Sequence, residues 1–124
     1  MRHLPSRRRG AVAATFAALA ACAFPAAPPP ALQARDDAPA GVRGACELTE
    51  RKCTRCHTAD RILVAPINHP AQWTATVEQM RHLPDSGISP FDADVIARCL
   101  VFRSFGPSGL AWLAHQRREA ARDR

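Results

Sequence analysis

The chain has 124 residues and a net charge of +6, which by itself would suggest an anionic partner such as nucleic acid. Four of its 17 basic residues, however, lie in the first nine positions, and the rest of the chain has 13 basic against 11 acidic residues, a net charge of +2. These charges are interspersed and form no basic stripe with interleaved aromatic residues, so the composition argues against a nucleic-acid-binding protein. A chain of this length holds one domain at most.

The amino-terminal segment has the pattern of an export signal. A basic run at residues 7–9 precedes an apolar stretch, residues 11–21, which is too short to span a membrane. The four residues that end at Cys22, Leu-Ala-Ala-Cys, resemble the lipobox of bacterial lipoproteins. We therefore expect a protein exported to the periplasm.

Two forms of that signal stay open. If the lipobox is used, the signal spans residues 1–22 and Cys22 carries a lipid that anchors the protein to the membrane. If the signal is an ordinary one, it spans residues 1–34. In the lipoprotein form, residues 23–41 make a Pro/Ala-rich linker, a composition typical of an extended tether.

Helical periodicity predicts an all-α domain over residues 42–106. The first helix is expected over residues 42–57, with a pair of cysteines at its end. The second begins at Pro70, a residue suited to the first helical turn, and its apolar side chains share one face because they follow at i, i+4 and i+7. These side chains are Trp73, Val77 and Met80.

The third helix has the clearest start signal. Ser89 is expected to cap it, Pro90 to occupy its first position, and Asp92 to lie near the positive end of its dipole. Gly106 and the proline after it are expected to end the helix. The charged tail, residues 107–124, is expected to be a short frayed helix or disordered.

The motif Cys53-Thr-Arg-Cys56-His57 is the main chemical signal in the chain. A structural zinc site needs four ligands, usually in two close pairs, and the other cysteines and histidines of the domain occur singly. A redox-active dithiol is expected at the start of a helix that follows a strand, whereas this motif ends a helix. C-x-x-C-H is also the signature of covalent c-type haem, which we favour. Cys53 and Cys56 would form thioethers, and His57 would bind the iron.

The segment from Cys46 to Phe105 resembles the small bacterial class I cytochromes c. The resemblance rests on C-x-x-C-H, on Arg61-Ile62, on the W-x-x-x-V-x-x-M pattern that ends at Met80, and on the apolar pattern from Ile96 to Leu100. It implies three main helices around one haem c. It departs from the family in lacking an aromatic residue in the first helix and in having Cys99 where an aromatic ring is common.

The resemblance implies Met80 as the second axial ligand of the iron. His82 and His69 are the other candidates for this ligand position. The alternative for Met80 is that it is a residue of the hydrophobic core and binds no metal. Trp73 and Val77 are expected to pack against the porphyrin. The Trp73 indole N–H is expected to meet a haem propionate, and Arg61 could pair with a propionate too.

The two remaining cysteines, Cys46 and Cys99, are expected to form a disulfide, because the first and last helices touch in class I cytochromes c. The alternative is a pair of buried free thiols. Such a bridge suits a protein that works outside the cytoplasm.

The function implied is one-electron transfer by a single haem with His57 and Met80 as axial ligands, and therefore not an enzyme activity. The partners would be a redox donor and a redox acceptor, each docking transiently onto a monomer. Two alternatives stay open: a haem-bearing assembly or docking subunit of a larger oxidoreductase, and a gas or redox sensor with a labile sixth ligand.

Overall fold

The computed structural model describes residues 31–124, so most of the predicted signal, Cys22 included, lies outside the described residues. This part of the chain is all-α, as predicted, and contains no strand. No helix in it is long and apolar enough to cross a membrane. The four helices are α1 (Ala40–Cys53), α2 (Ala59–Leu63), α3 (Pro70–Arg81) and α4 (Pro90–Arg122).

Helix α1 buries one face and ends one turn earlier than predicted. Its buried residues, spaced at i, i+3, i+4 and i+7, are Val42, Ala45, Cys46 and Thr49. The Thr49 hydroxyl donates to the Ala45 carbonyl oxygen at 2.8 Å, which satisfies a polar group that has no access to solvent. The last residue of α1 is Cys53, so the motif that follows lies in a turn.

Helix α3 begins at Pro70, as predicted, and its start is fixed by a capping box. The His69 ring accepts a hydrogen bond from the Ala71 backbone N–H, while the Gln72 side chain accepts one from the His69 backbone N–H. Trp73 and Val77 are buried and Met80 is half-buried. The predicted common face therefore points into the protein.

Helix α4 begins with the predicted arrangement of Ser89, Pro90 and Asp92. The Ser89 hydroxyl accepts from the Asp92 N–H at 3.0 Å, and the Asp92 carboxylate accepts from the Ser89 N–H at 2.9 Å. The apolar spacing of Phe91, Val95 and Ile96 predicts that they share one buried stripe of the helix, yet Phe91 is 75% exposed. The prediction was wrong at this first-turn position, where the side chain is open to solvent.

The predicted end of α4 at Gly106 is a kink. Gly106 has φ 61° and ψ −149°, a conformation essentially confined to glycine, and the helix resumes at Pro107. Residues 107–122 are thus helical, neither frayed nor disordered as the sequence suggested. Pro107 stops one helix and suits the first turn of the next.

After the kink, α4 turns back along its own first half. Arg117 pairs with Asp94, with 2.5 Å between Nη2 and Oδ1. Gly109 lies so close to Val101 that an added Cβ would be 2.6 Å from its Cγ1. Leu113 is buried in the main apolar cluster, so the carboxy-terminal half of α4 is part of the folded domain.

The core consists of two apolar clusters on opposite sides of α4. One joins α4 to α1 and is stapled by the predicted Cys46–Cys99 disulfide, whose Cα atoms are 4.9 Å apart. The other joins α4 to α3 around Trp73 and Val77. The second cluster leaves a gap toward the end of α1, and the candidate site lies there.

Candidate functional site

The turn after α1 brings the motif residues together. The backbone N–H groups of Cys56 and His57 both donate to the Cys53 carbonyl oxygen, at 3.3 and 3.0 Å. These bonds fold the five motif residues into one turn that continues from the helix. Cys53 and Cys56 are free thiols, the first half-buried and the second exposed.

A largely apolar cavity of about 190 Å³ lies between this turn, α3 and α4, and it is open to solvent. Six residues that the sequence singled out line it: Cys53, His57, Arg61, Trp73, Val77 and Met80. The other lining residues, none of which was predicted as a site residue, are Ile62, Ala65, Thr76, Ile88 and Leu100. The predicted iron ligands His57 and Met80 therefore face one space.

A second cavity of about 110 Å³ adjoins the first and contains the remaining motif residue, Cys56. The two cavities share four lining residues, Cys53, His57, Met80 and Ile88. The far wall of the second cavity is the loop after α3. Both thiols, the histidine and the methionine consequently border one continuous depression.

The two rival ligands lie elsewhere. His69 caps α3, and its ring packs edge-on against Trp112 with 5.5 Å between the ring centroids. His82 is exposed, with its Nδ1 2.9 Å from the Glu78 carbonyl oxygen. Neither ring lines the cavities that hold His57, whereas Met80 lines both of them.

Trp73 has a different polar partner from the one predicted. Its indole N–H donates to the Ser104 hydroxyl of α4 at 2.8 Å, so the bond expected to a propionate is already made within the protein. The sequence could not show this bond because its two residues are 31 positions apart. Arg61 is exposed and lines the cavity, as a residue that meets a charged group at the rim would.

A third cavity, of about 160 Å³, adjoins the first at Trp73 and Leu100. Arg103 and Ser104 of α4 form its polar wall. Burial is the largest influence on the pKa of Arg103, and it lowers that pKa. A guanidinium nevertheless stays charged at neutral pH. The depression thus has an apolar middle and a polar, cationic end.

The motif thiols do not have the electrostatics of a redox dithiol. Burial, reinforced by Glu50 and by the neighbouring Cys56, raises the pKa of Cys53 to about 11. The residue also lies at the carboxyl end of α1, where the helix dipole opposes negative charge. Reactive dithiols instead lie at helix amino termini and have lowered pKa values.

Cys53 should consequently react slowly with alkylating agents in protein prepared without any attached group. At pH 8 a thiol with a pKa of about 11 is ionised in about one molecule per thousand, and the thiolate is the reacting form. We expect iodoacetamide to modify the exposed Cys56 at least tenfold faster, and the rate at Cys53 to rise with pH until about 11. Peptide mass mapping over time measures both rates, and equal rates at pH 8 would contradict this expectation.

A zinc site built from the remaining cysteines is also disfavoured. Cys46 and Cys99, two of the candidate ligands, are bonded to each other. Among residues 31–124 no three His, Cys, Asp or Glu side chains group together as metal ligands. What this site offers is two thiols, one imidazole and one thioether around an apolar space.

Comparison with known proteins found no relative of this chain. No family model matches it, and neither does any curated protein or solved structure. The class that the structure shows is an all-α domain stapled by one disulfide. The function must be argued from the site itself.

Proposed function

We propose that this protein is a mono-haem c-type cytochrome that carries single electrons between redox partners in the periplasm. The observation that carries the proposal is the convergence of Cys53, Cys56, His57 and Met80 on two adjoining cavities. The first three come from one turn, but Met80 comes from a different helix. Local sequence therefore does not explain why they meet.

The residues present fit a covalently attached haem. Cys53 and Cys56 are unbridged and lie within one turn, as attachment to two neighbouring vinyl groups requires. The apolar wall, with Trp73, Val77 and Leu100, suits a porphyrin face. The polar end near Arg103 suits the two propionates.

Nitrogen from His57 and sulfur from Met80 would hold the iron. Haem held in this way supplies a reversible one-electron couple, and methionine–histidine ligation raises its reduction potential. Filling both axial positions with protein side chains leaves no position for a substrate. This favours an electron carrier over an enzyme or a gas sensor.

The site has a buried apolar floor and a rim that is open to solvent. Trp73 and Val77 are buried beneath the cavity, and Cys56 is exposed at its rim. A partner that docks at this rim would approach the attached edge of the haem. Electron transfer partners of this kind use small, transient interfaces.

Two residues within the predicted linker of residues 23–41 are packed in the folded domain, and they bear on the form of the export signal. Leu32 is fully buried, and its backbone N–H donates to the Glu50 carboxylate. Ala38 is buried in the α1–α4 cluster. A cut after Ala34 would remove Leu32 from the packed domain, so this packing argues against the form of the signal that spans residues 1–34.

The test is a pyridine haemochrome spectrum of protein matured in a haem-attaching periplasm, recorded after acid–acetone extraction. We expect haem to stay with the wild-type chain and to give a c-type spectrum. The double variant Cys53→Ser, Cys56→Ser should lose all covalent haem, whereas Cys56→Ser alone should keep one thioether and show a shifted spectrum. Wild-type protein from which the haem extracts completely would overturn the proposal.

A further inference from the structure

The loop between α3 and α4, residues 82–89, forms the far wall of the candidate site. Four of its side chains line the cavity that holds both motif thiols: Leu83, Pro84, Ser86 and Ile88. Met80 lies just before this loop, at the end of α3. The position of the loop therefore determines how closed the site is beside Met80.

The loop is held from the opposite side of the site by Lys52. The Lys52 Nζ donates to the Gly87 carbonyl oxygen at 2.5 Å and lies 3.2 Å from the Asp92 carboxylate. The two side chains are only 26% and 16% exposed. Lys52 directly precedes Cys53, so this contact ties the attachment turn to the loop across 35 residues of sequence.

The backbone of the loop adopts conformations that need such support. Asp85 and Gly87 both have positive φ, 58° and 61°, and the first of these is unfavourable for a residue with a Cβ. Within the loop, the Ser86 hydroxyl donates to the Arg81 carbonyl oxygen and accepts from the Ile88 N–H. Beyond these local bonds, the loop is bonded to α1 through Lys52, and the Arg55 side chain of the motif turn lies against Gly87, where an added Cβ would be 2.7 Å from its Nη1.

The negative partner of Lys52 is itself fixed. The pKa of Asp92 is lowered, mainly because the Ser89 N–H donates to its carboxylate and further because the Lys52 ammonium lies beside it. Asp92 is therefore charged at neutral pH, and the ion pair with Lys52 persists. Exposed ion pairs contribute little to stability, but this one is partly shielded and includes a charged hydrogen bond to the backbone. It can therefore hold a loop.

We infer that Lys52 is a positioning residue that keeps the loop of residues 82–89 closed on the site beside Met80. This inference rests on the proposed function for its consequence, which is restricted access of small ligands to the iron. The contact itself belongs to the protein and can be tested by a measurement that does not depend on haem.

The experiment is hydrogen–deuterium exchange of the full-length protein as purified, comparing wild type with Lys52→Met. We expect the Ser86 and Ile88 amides to exchange about tenfold faster in the variant, the loss expected for one charged hydrogen bond. Amides in the middle of α3 should not change. Lys52→Arg should restore most of the protection, and Arg51→Met, which removes the neighbouring exposed cation, should leave it unchanged.

A second readout uses imidazole binding to the oxidised haem protein. Lys52→Met should bind imidazole about tenfold more tightly than wild type because the loop opens more often, whereas Arg51→Met should bind like wild type. If Lys52→Met does not fold, Asp92→Asn replaces it, since the amide oxygen can still cap α4 while the charge is lost. Unchanged loop exchange in the variant that folds would overturn the inference.

The two proposals fail in distinguishable ways. Protein without covalent haem would overturn the proposed function, yet loop exchange would still decide whether Lys52 holds the loop. Haem-bearing protein whose loop exchange is unaffected by Lys52→Met would overturn the role of Lys52 alone. Faster loop exchange without tighter imidazole binding would show that the loop does not guard the iron, which also overturns the inference.

Discussion

With haem held as proposed, Met80→Ala is expected to change the reduced protein from one that does not bind carbon monoxide to one that binds it fully. His57 lines both cavities, and so do Cys53 and Met80. Since Cys53 would be bonded to the haem, Met80 is the side chain left to ligate the iron opposite His57. Alanine cannot replace the thioether sulfur, so one axial position becomes free. The measurement is a carbon monoxide titration of the dithionite-reduced protein, followed in the visible spectrum without denaturant.

The matched controls for this experiment are His69→Ala and His82→Ala. Both histidines were rivals for the ligand position, and both lie outside the cavities. Their removal should leave the reduced protein unreactive toward carbon monoxide. If wild-type protein already binds carbon monoxide, Met80 is not on the iron and the sensor function becomes the better account.

Reduction of the Cys46–Cys99 bridge is the second change with a large expected effect. The bridge closes a chain separation of 53 residues and lies in the cluster that joins α1 to α4. The chain-entropy model gives about 4 kcal/mol for a loop of this size, a large part of the stability of a small domain. We expect the free energy of unfolding to fall by about that amount when the bridge is reduced.

Urea unfolding with and without a reductant measures this difference, and an intact-mass gain of two hydrogen atoms confirms that one bridge was opened. The double variant Cys46→Ala, Cys99→Ala should be at least as unstable, because both side chains are buried and leave small cavities. A loss below about 1 kcal/mol would contradict the chain-entropy account.

The sequence predicted the elements whose signals are local. The start of α4 needs only Ser89, Pro90 and Asp92, and all three act within one turn. Gly106 was identified correctly as a break, but the same Gly-Pro pair can end a helix or separate two. The packing of Leu113 against the core decides that a second helical segment follows this pair. No local sequence signal indicates that packing.

The short helix α2 was missed, although Asp60 in its first turn is a weak start signal. It lies in residues 58–69, between the first two predicted helices, where proline and polar residues indicate a loop. One turn of helix is too short for apolar periodicity to show. Its side chain Ile62 nevertheless lines the candidate site.

Within the site, the motif and the resemblance predicted which side chains would meet, but not how the protein would support them. The hydrogen bond from Trp73 to Ser104 and the contact from Lys52 to Gly87 join residues more than 30 positions apart. Contacts of that kind depend on how the helices cross. A single sequence carries no record of that crossing.

The placement of the two tryptophans gives the protein an optical reporter of its own. Trp73 lines the cavity, and Trp112 packs against the same apolar cluster from the returning half of α4. In so small a domain, a coloured group seated in the cavity lies close enough to both indoles to accept their excitation energy. Tryptophan fluorescence should then be quenched when the site is filled and strong when the site is empty or the protein is unfolded. Fluorescence can therefore follow the loading of the site directly.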